Sequence, residues 1–251
     1  MAGISAEGSL CALFGSAEEP SASPAELAWY GEQLPRNAGT LIELMCGYGR
    51  LLVPLAEAGF SVHGADGSAA MLAECEARLS RAKLTTTLFR QDVAELNVPF
   101  RYGAAFIGGG AFQRLIDVER ARAALRRIRA HLVEPGLLLL DLYVPAESAQ
   151  RIAAPLVEVR STSLADGSRI ALRSETTMYP DARLARTESR YVHRRGHDLL
   201  REETEKRALT WYAPDDIVAL IRAAGFGDVV VGDAAHVAAD GHAYSIRAHA
   251  F

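Results

Sequence analysis

Short apolar runs alternate along this chain with stretches whose apolar residues recur every three or four positions. Runs over 40–45, 60–66, 84–90, 104–108 and 137–143 have the length and composition of buried strands. Between them, 50–58, 68–82 and 117–132 have helical spacing. Leu72, Cys75 and Leu79 share one helix face, and Ala121, Leu125, Ile128 and Leu132 another. Gly59 fits the position after the first of these helices, and Ser68 the N-cap of the second. A further helix over 25–34 places Leu27, Tyr30 and Leu34 on one side. Strands alternating with helices predict a parallel sheet covered on both faces, with ligands at the carboxyl ends of its strands.

Residues 156–212 break this rhythm. Ile170, Leu172, Ser174, Thr176 and Met178 alternate with Arg173, Glu175 and Thr177, a period of two. Asp166-Gly167, Pro180-Asp181 and Gly196-His197 are turn signals. An antiparallel meander, half exposed, is expected here. Helical spacing returns at Pro214, with Asp215 and Asp216 complementing the helix N-terminus, Ile217, Leu220 and Ile221 inward, and Gly225 as stop. Strands over 229–231 and 243–248 follow. In residues 1–23, Leu10, Leu13 and Phe14 form one apolar helical turn, while Pro20 and Pro24 mark a break; both a loose arm and a cap over a ligand site fit. The predicted organisation is an α/β fold: an arm over 1–23, a core over 24–150, an antiparallel lid over 151–211, and the rest of the core over 212–251.

The chemistry concentrates where the first strand meets its helix, Leu41-Ile42-Glu43-Leu44-Met45-Cys46-Gly47-Tyr48-Gly49-Arg50. Gly47 and Gly49 permit a sharp bend and close approach of a ligand to the backbone, and the helix that follows is expected to aim free amides at it. A dinucleotide turn reads G-x-G-x-x-G, but Leu52 occupies the place of its third glycine. Asp66, ending the second strand, is placed to accept hydrogen bonds from ribose hydroxyls. Glu43 would repel a pyrophosphate and suit an ammonium, and Arg50 suits a carboxylate. Ribose, ammonium and carboxylate together describe S-adenosylmethionine better than a nicotinamide dinucleotide.

Glu43 to Arg50, Ala58-Gly59-Phe60, Gly64-Ala65-Asp66-Gly67-Ser68 and Met71-Leu72 resemble motifs I and II of class I S-adenosylmethionine-dependent methyltransferases. Pro24 to Tyr30 resembles the helix preceding motif I in small-molecule members, and Ala223-Ala224-Gly225-Phe226 the close of the final helix. The resemblance implies a Rossmann-like seven-stranded sheet with helices on both faces. The inserted meander is similar to the antiparallel lid of glycine N-methyltransferase-like and amino-sugar N-methyltransferases. It implies cofactor contacts at Tyr30, Glu43, Cys46, Gly47, Gly49, Arg50, Asp66, Gly67 and Met71, an adenine segment at Gln91, Asp92 and Val93, and a sulfonium-side turn at Gly108. For Asp92 a capping role is the rival. One departure is Met45, which stands where the family usually has glycine and is expected to narrow the loop beside the methionine arm.

Gln113, Arg114, Asp141 and Trp211 are expected to face the acceptor. Methyl transfer mainly requires alignment. If a base is used, Tyr143, Asp141, Tyr191 and His193 are the candidates. His197 lies in a turn, and His236 and His242 flank the last connection without a partner in the sequence. Cys11, Cys46 and Cys75 are odd in number and lack metal spacing, so no metal and a reduced cytoplasmic setting are expected. Met1 to Leu10 lacks the features of a signal peptide. The net charge of −4 gives no basic surface for nucleic acid or membrane. The expected partner is a small-molecule acceptor met by a monomer or homodimer. The expected activity is methylation of nitrogen or oxygen on a small metabolite. The alternatives are a cofactor-binding fold repurposed as a cyclase-like catalyst or non-catalytic binder, and a nicotinamide oxidoreductase.

Overall fold

The computed structural model describes residues 8–152, 154–234 and 241–251; His236 lies outside them. Two helices, α1 (Ser9–Glu18) and α2 (Pro24–Gln33), precede the alternating core. That core runs β1 (Leu41–Leu44), α3 (Leu52–Glu57), β2 (Val62–Asp66), α4 (Ala69–Arg81), β3 (Leu88–Arg90), β4 (Tyr102–Ile107), α5 (Val118–Ala130) and β5 (Leu132–Pro145). A short α6 (Glu147–Gln150) leads into the meander β6 (Leu156–Ser163), β7 (Arg169–Tyr179), β8 (Leu184–Arg195) and β9 (Asp198–Thr210). The chain then returns through α7 (Pro214–Ala223), β10 (Phe226–Asp233) and β11 (Gly241–Ala250).

The core is one seven-stranded sheet of order β10-β11-β5-β4-β1-β2-β3, and the meander a separate four-stranded sheet. β1 to β5 pair in parallel; β11 inserts antiparallel to β5, and β10 pairs antiparallel to β11. The strand order reverses between β1 and β4, which places the switch point at the carboxyl end of β1. Successive residues of each strand face opposite layers. Ile42, Leu44, Leu138 and Leu140 join the layer of α5 and α7. Leu41, Phe106, Leu137 and Leu139 join the layer of α2, α3 and α4.

Several boundaries differ from the periodicity. The first core helix is six residues long, not nine, because Gly47 and Gly49 take positive φ and hold 47–51 as turns. The amides of the turn itself are used internally: the Gly47 amide donates to Asp66 and the Gly49 amide to the Cys46 carbonyl. The third strand shrinks to Leu88–Arg90. The fifth starts at Leu132, a residue that the helical spacing had assigned to α5. Gly59 and Gly225 take the left-handed conformation after their helices, and Ser68 accepts the Met71 amide as an N-cap.

The first segment is a helix, and it is anchored on both sides. Leu10, Cys11 and Phe14 of α1 pack with Ile170, Leu172 and Tyr191 of the meander and with Met71 of α4. Glu203 of β9 accepts from the Leu10 amide, Ser16 donates to Glu74, and Tyr48 donates to the Glu19 carbonyl. The segment is therefore not a loose arm but a helix seated between the meander and α4.

Candidate functional site

The carboxyl ends of β1 and β2 meet through Asp66. Its Oδ2 accepts the Gly47 amide at 2.9 Å and its Oδ1 the Ser68 amide at 2.8 Å, so the carboxylate spans the glycine turn and the start of α4. Gly47 has φ 55° and Gly49 φ 78°. A Cβ on Gly49 would lie 2.6 Å from Cys75 Sγ, so only glycine fits there. Met71 borders the turn, its sulfur 3.9 Å from where a Gly47 Cβ would stand. Gly67 is exposed beside Asp66, and Cys46 is buried beneath the turn.

Glu43 faces the α2 layer and is 5% exposed, and its Oε2 has no hydrogen-bond partner. Burial pushes its pKa well above the glutamate range, with Arg50 acting in the opposite direction. An orphaned carboxylate beside an open glycine turn is costly unless a cation reaches it. An aminoacyl ammonium fits that vacancy of charge, and the Asp66 carboxylate fits a diol. The residues present therefore suit an adenosyl amino-acid cofactor.

Other expected contacts are taken up within the protein. Arg50 forks onto Glu26 at 2.6 and 2.7 Å and reaches Glu19 at 3.2 Å. It is thus a clasp between the glycine turn and α2, and its guanidinium is already matched to a carboxylate of the chain. Tyr30 is sealed, and its hydroxyl donates to Asp141 at 2.5 Å. Asp141, expected to face the acceptor, is instead 0% exposed; its other oxygen accepts the Gly110 amide at 2.7 Å. Burial raises its pKa above the usual aspartate value. A Cβ on Gly108 would stand 3.1 Å from the Tyr30 hydroxyl, so this turn packs directly on α2. Asp92 caps the 3-10 turn Val93–Glu95 through the Ala94 amide and pairs with Arg120 at 2.6 Å, which is the rival reading of that residue. Gln91 Oε1 accepts the Asn97 amide, and Val93 is buried.

Gln113 is likewise internal. Its amide nitrogen donates to the Tyr143 and Thr210 carbonyls at 2.7 and 2.9 Å, and its oxygen accepts the Tyr143 amide at 2.8 Å. It joins β5 to the end of the lid. Trp211 is buried at the same joint, its amide donating to the Arg183 carbonyl. Arg114 is half-buried on the adjoining 3-10 turn.

Of the four residues put forward for proton transfer, Tyr143, Tyr191 and His193 do not meet. Thr210 pairs with Leu184 at the joint beside Tyr143, whereas Tyr191 lies seven residues further along β8, roughly 23 Å at strand spacing. Tyr191 is buried edge-on against Phe14, and its pKa is raised, first by burial. His193 lies further still, with Nε2 2.7 Å from Ser168 Oγ, which also contacts Asp166. That trio organises the β6–β7 turn. The side chain of Met45 turns away from the loop: it packs against the α5 layer, and the backbone takes φ 56°.

Sequence periodicity did not show that Ser174, Ser189 and Glu205 of the lid are buried, because Ser and Glu on a predicted meander read as solvated. It missed Glu26 because a helix-face acid has the same look whether it is exposed or clasped.

A seven-stranded α/β sandwich with a glycine turn and two acids at its switch point defines a nucleoside-cofactor enzyme fold, and comparison makes the class specific. Residues 41–136 match the family described as a methyltransferase domain. A candidate methyltransferase of Geobacillus sp. (strain WCH70) is 33% identical over 118 residues, 47% of this chain and 47% of that protein; the match spans about half the relative's length. An S-adenosylmethionine-dependent methyltransferase from Clostridium acetobutylicum superposes with TM-score 0.73 at 14% identity, covering 94% of this chain and 96% of that one. The sugar N-methyltransferase of a Streptoalloteichus species gives TM-score 0.73 at 18% identity over 98% and 94% of the two chains. An amino pentose methyltransferase of calicheamicin biosynthesis from Micromonospora echinaspora, solved with S-adenosylmethionine bound, gives 0.66 at 23% identity over 90% and 91%. The chain thus has the fold of class I S-adenosylmethionine-dependent methyltransferases, and its residues 41–136 are similar to a methyltransferase domain. Among the described residues, no helix is long and apolar enough to cross a membrane, and no three His, Cys, Asp or Glu side chains gather as a metal site.

Proposed function

We propose that this protein is an S-adenosylmethionine-dependent methyltransferase acting on nitrogen or oxygen of a small metabolite, with the amine of a sugar-like acceptor favoured. One observation carries the reading: at the switch point Asp66 bridges the glycine turn while Glu43 presents a buried, unpartnered carboxylate oxygen. The lid supports a small enclosed acceptor, and the amino-sugar and sugar N-methyltransferases among its structural neighbours support nitrogen. A cytoplasmic setting fits the three buried, unpaired cysteines.

When bound, the cofactor supplies a methyl group on positively charged sulfur. Asp66 would accept from the ribose hydroxyls while keeping the turn shaped through Gly47. Glu43 would hold the ammonium, which returns the charge balance that burial denies it. Asp141, through the Gly110 amide, holds the Gly108–Gly110 turn that faces the reacting end. The lid and α1 exclude water, so that alignment within the enclosed site supplies most of the acceleration, on the order of 7–11 kcal/mol for well-oriented reactants. Calorimetry with S-adenosylhomocysteine tests the reading: micromolar binding is expected, falling at least tenfold in Asp66→Ala. No heat at high micromolar ligand overturns it.

The second reading, a fold that binds the cofactor without transferring its methyl group, depended on Met45 narrowing the loop, and with its side chain packed in the α5 layer that ground is weakened. Stoichiometric release of S-adenosylhomocysteine with a methylated acceptor rejects that reading.

A further inference from the structure

Helix α1 meets the lid and the glycine turn with consecutive residues. Phe14 stands edge-on against Tyr191 of β8, ring centroids 5.8 Å apart, in the apolar cluster that also takes in Leu10, Ile170 and Leu172. Gly15, the next residue, is so close to the Tyr48 ring that a Cβ would stand 2.6 Å from Tyr48 Cε1. Tyr48 in turn lies between Gly47 and Gly49, both at positive φ. The connection from α1 to α2 then follows the turn. The Tyr48 hydroxyl donates to the Glu19 carbonyl at 3.1 Å, the Ala22 amide to the Arg50 carbonyl at 3.0 Å, and Arg50 reaches the Glu19 carboxylate at 3.2 Å. Arg78 of α4 closes the group. Its guanidinium donates to the Tyr48 carbonyl at 2.8 Å and to the Pro20 carbonyl, and lies over the Tyr48 ring. At the other end of α1, Glu203 of β9 accepts from the Leu10 amide at 2.9 Å and from the Ser9 hydroxyl at 3.2 Å.

The two ends of this arrangement differ in stiffness. A turn built on two positive-φ glycines has more backbone freedom than most, and a ligand that fixes it must offset that freedom. Here the freedom is shared with α1. Residues 48 and 50 cannot shift without breaking their bonds to 19–22, and Phe14 cannot shift without repacking against β8. The helix between them is hydrogen-bonded throughout, and Leu10 and Glu19 are roughly 13 Å apart along its axis. Order imposed at the turn is therefore carried to the lid, and order at the lid to the turn.

We propose that α1 is a strap that couples cofactor binding at the glycine turn to the ordering of the lid, with Tyr48 and Arg78 as positioning residues at one end and Glu203 at the other. This rests on the methyltransferase reading and adds to it how a bound cofactor prepares the lid for the acceptor. Coupling of this kind is reciprocal. Loosening α1 at Glu203 therefore weakens the cofactor, although Glu203 lies at the far end of the helix from the turn.

Hydrogen exchange with and without saturating S-adenosylhomocysteine tests it, together with calorimetry. In the intact protein the ligand should slow exchange at the turn and also, several-fold, at the Leu172 and Tyr191 amides of the lid. Tyr48→Leu and Arg78→Gln should keep the slowing at the ends of β1 and β2 and lose it in the lid. Glu203→Ala should weaken S-adenosylhomocysteine about fivefold or more. The ligand-induced difference is the readout, because a variant that only loosens packing speeds exchange equally with and without ligand and leaves affinity unchanged. No ligand-induced slowing in the lid of the intact protein, slowing retained in both turn variants, or unchanged affinity in Glu203→Ala each overturns the coupling while leaving the methyltransferase reading intact. Failure of the intact protein to bind S-adenosylhomocysteine overturns both.

Discussion

The Tyr30 hydroxyl donates to Asp141 across 2.5 Å, and this single bond ties α2 to the end of β5 beneath the Gly108–Gly110 turn. Both residues are sealed from solvent. Burial, followed by the Asp141 charge, raises the tyrosine pKa well above its normal value, so the phenol remains a donor. Removing the hydroxyl leaves a buried carboxylate oxygen short of one donor, which costs about 1–3 kcal/mol. Tyr30→Phe should lower the melting temperature accordingly, and in hydrogen exchange the Gly110 amide should lose protection relative to the centre of β4. Unchanged protection at Gly110 would show that the turn is held by other means.

Glu43 leads to a prediction of two signs. A buried carboxylate without a donor destabilises the ligand-free fold, so Glu43→Gln should raise its stability at neutral pH by about 1–3 kcal/mol. The same change should weaken S-adenosylhomocysteine, because the ammonium loses its countercharge. The pH dependence has a definite direction. Below the ordinary glutamate value of 4.5, folded and unfolded chains both hold the proton and no penalty exists. As pH rises, the unfolded chain ionises first, and the folded state loses up to about 1.4 kcal/mol per pH unit until its own raised pKa is passed. The Gln variant should lack this slope. A variant both less stable and equally tight for the ligand contradicts the assignment.

Arg50 separates a structural clasp from a ligand contact. Its fork onto Glu26 cannot be reproduced by lysine. Arg50→Lys should cost about 1–3 kcal/mol, and Arg50→Ala more, about 3–5 kcal/mol, because the buried Glu26 loses its partner. Affinity of the folded Lys variant for S-adenosylhomocysteine should change less than fivefold. A tenfold loss with an unchanged melting temperature would make Arg50 the cofactor's carboxylate partner after all.

These residues also show how far the sequence could be read. The alternation of strand and helix, the glycine turn at 47–49 and the acid at 66 are local signals, and each falls where periodicity and turn chemistry put it. The motif resemblance added the count of seven strands, while their order and the antiparallel insertion of β11 beside β5 are contained in no local pattern. The roles of Arg50, Asp141 and Gln113 were illegible for one reason: each is satisfied by a partner 24 to 111 residues away in the chain or by backbone groups of another element. A polar side chain in a sequence does not reveal whether its partner will be a ligand or the protein itself. Similarly, Ser189 and Glu205 alternate as surface residues would, and only the seating of α1 on the lid makes them interior.

Gln113 makes the joint between lid and core testable. Its three hydrogen bonds go to backbone groups of Tyr143 and Thr210, one on the core sheet and one where β9 ends. Gln113→Ala leaves all three groups without this partner and opens a space in a buried position, so a loss of about 2–4 kcal/mol is expected. The lid stays attached through the ion pair of Arg183 with Asp216 of α7 and through its packing on α1, so the protein should still fold. What should change is how firmly the lid is held against the core. Amides of β9 near Thr210 should exchange faster, while those of β1 and β2 keep their protection. Cofactor affinity should then fall less than twofold, and acceptor KM should rise about tenfold. If exchange at the end of β9 were unaltered and the defect appeared in cofactor binding instead, Gln113 would belong to the cofactor pocket and the joint would lie elsewhere.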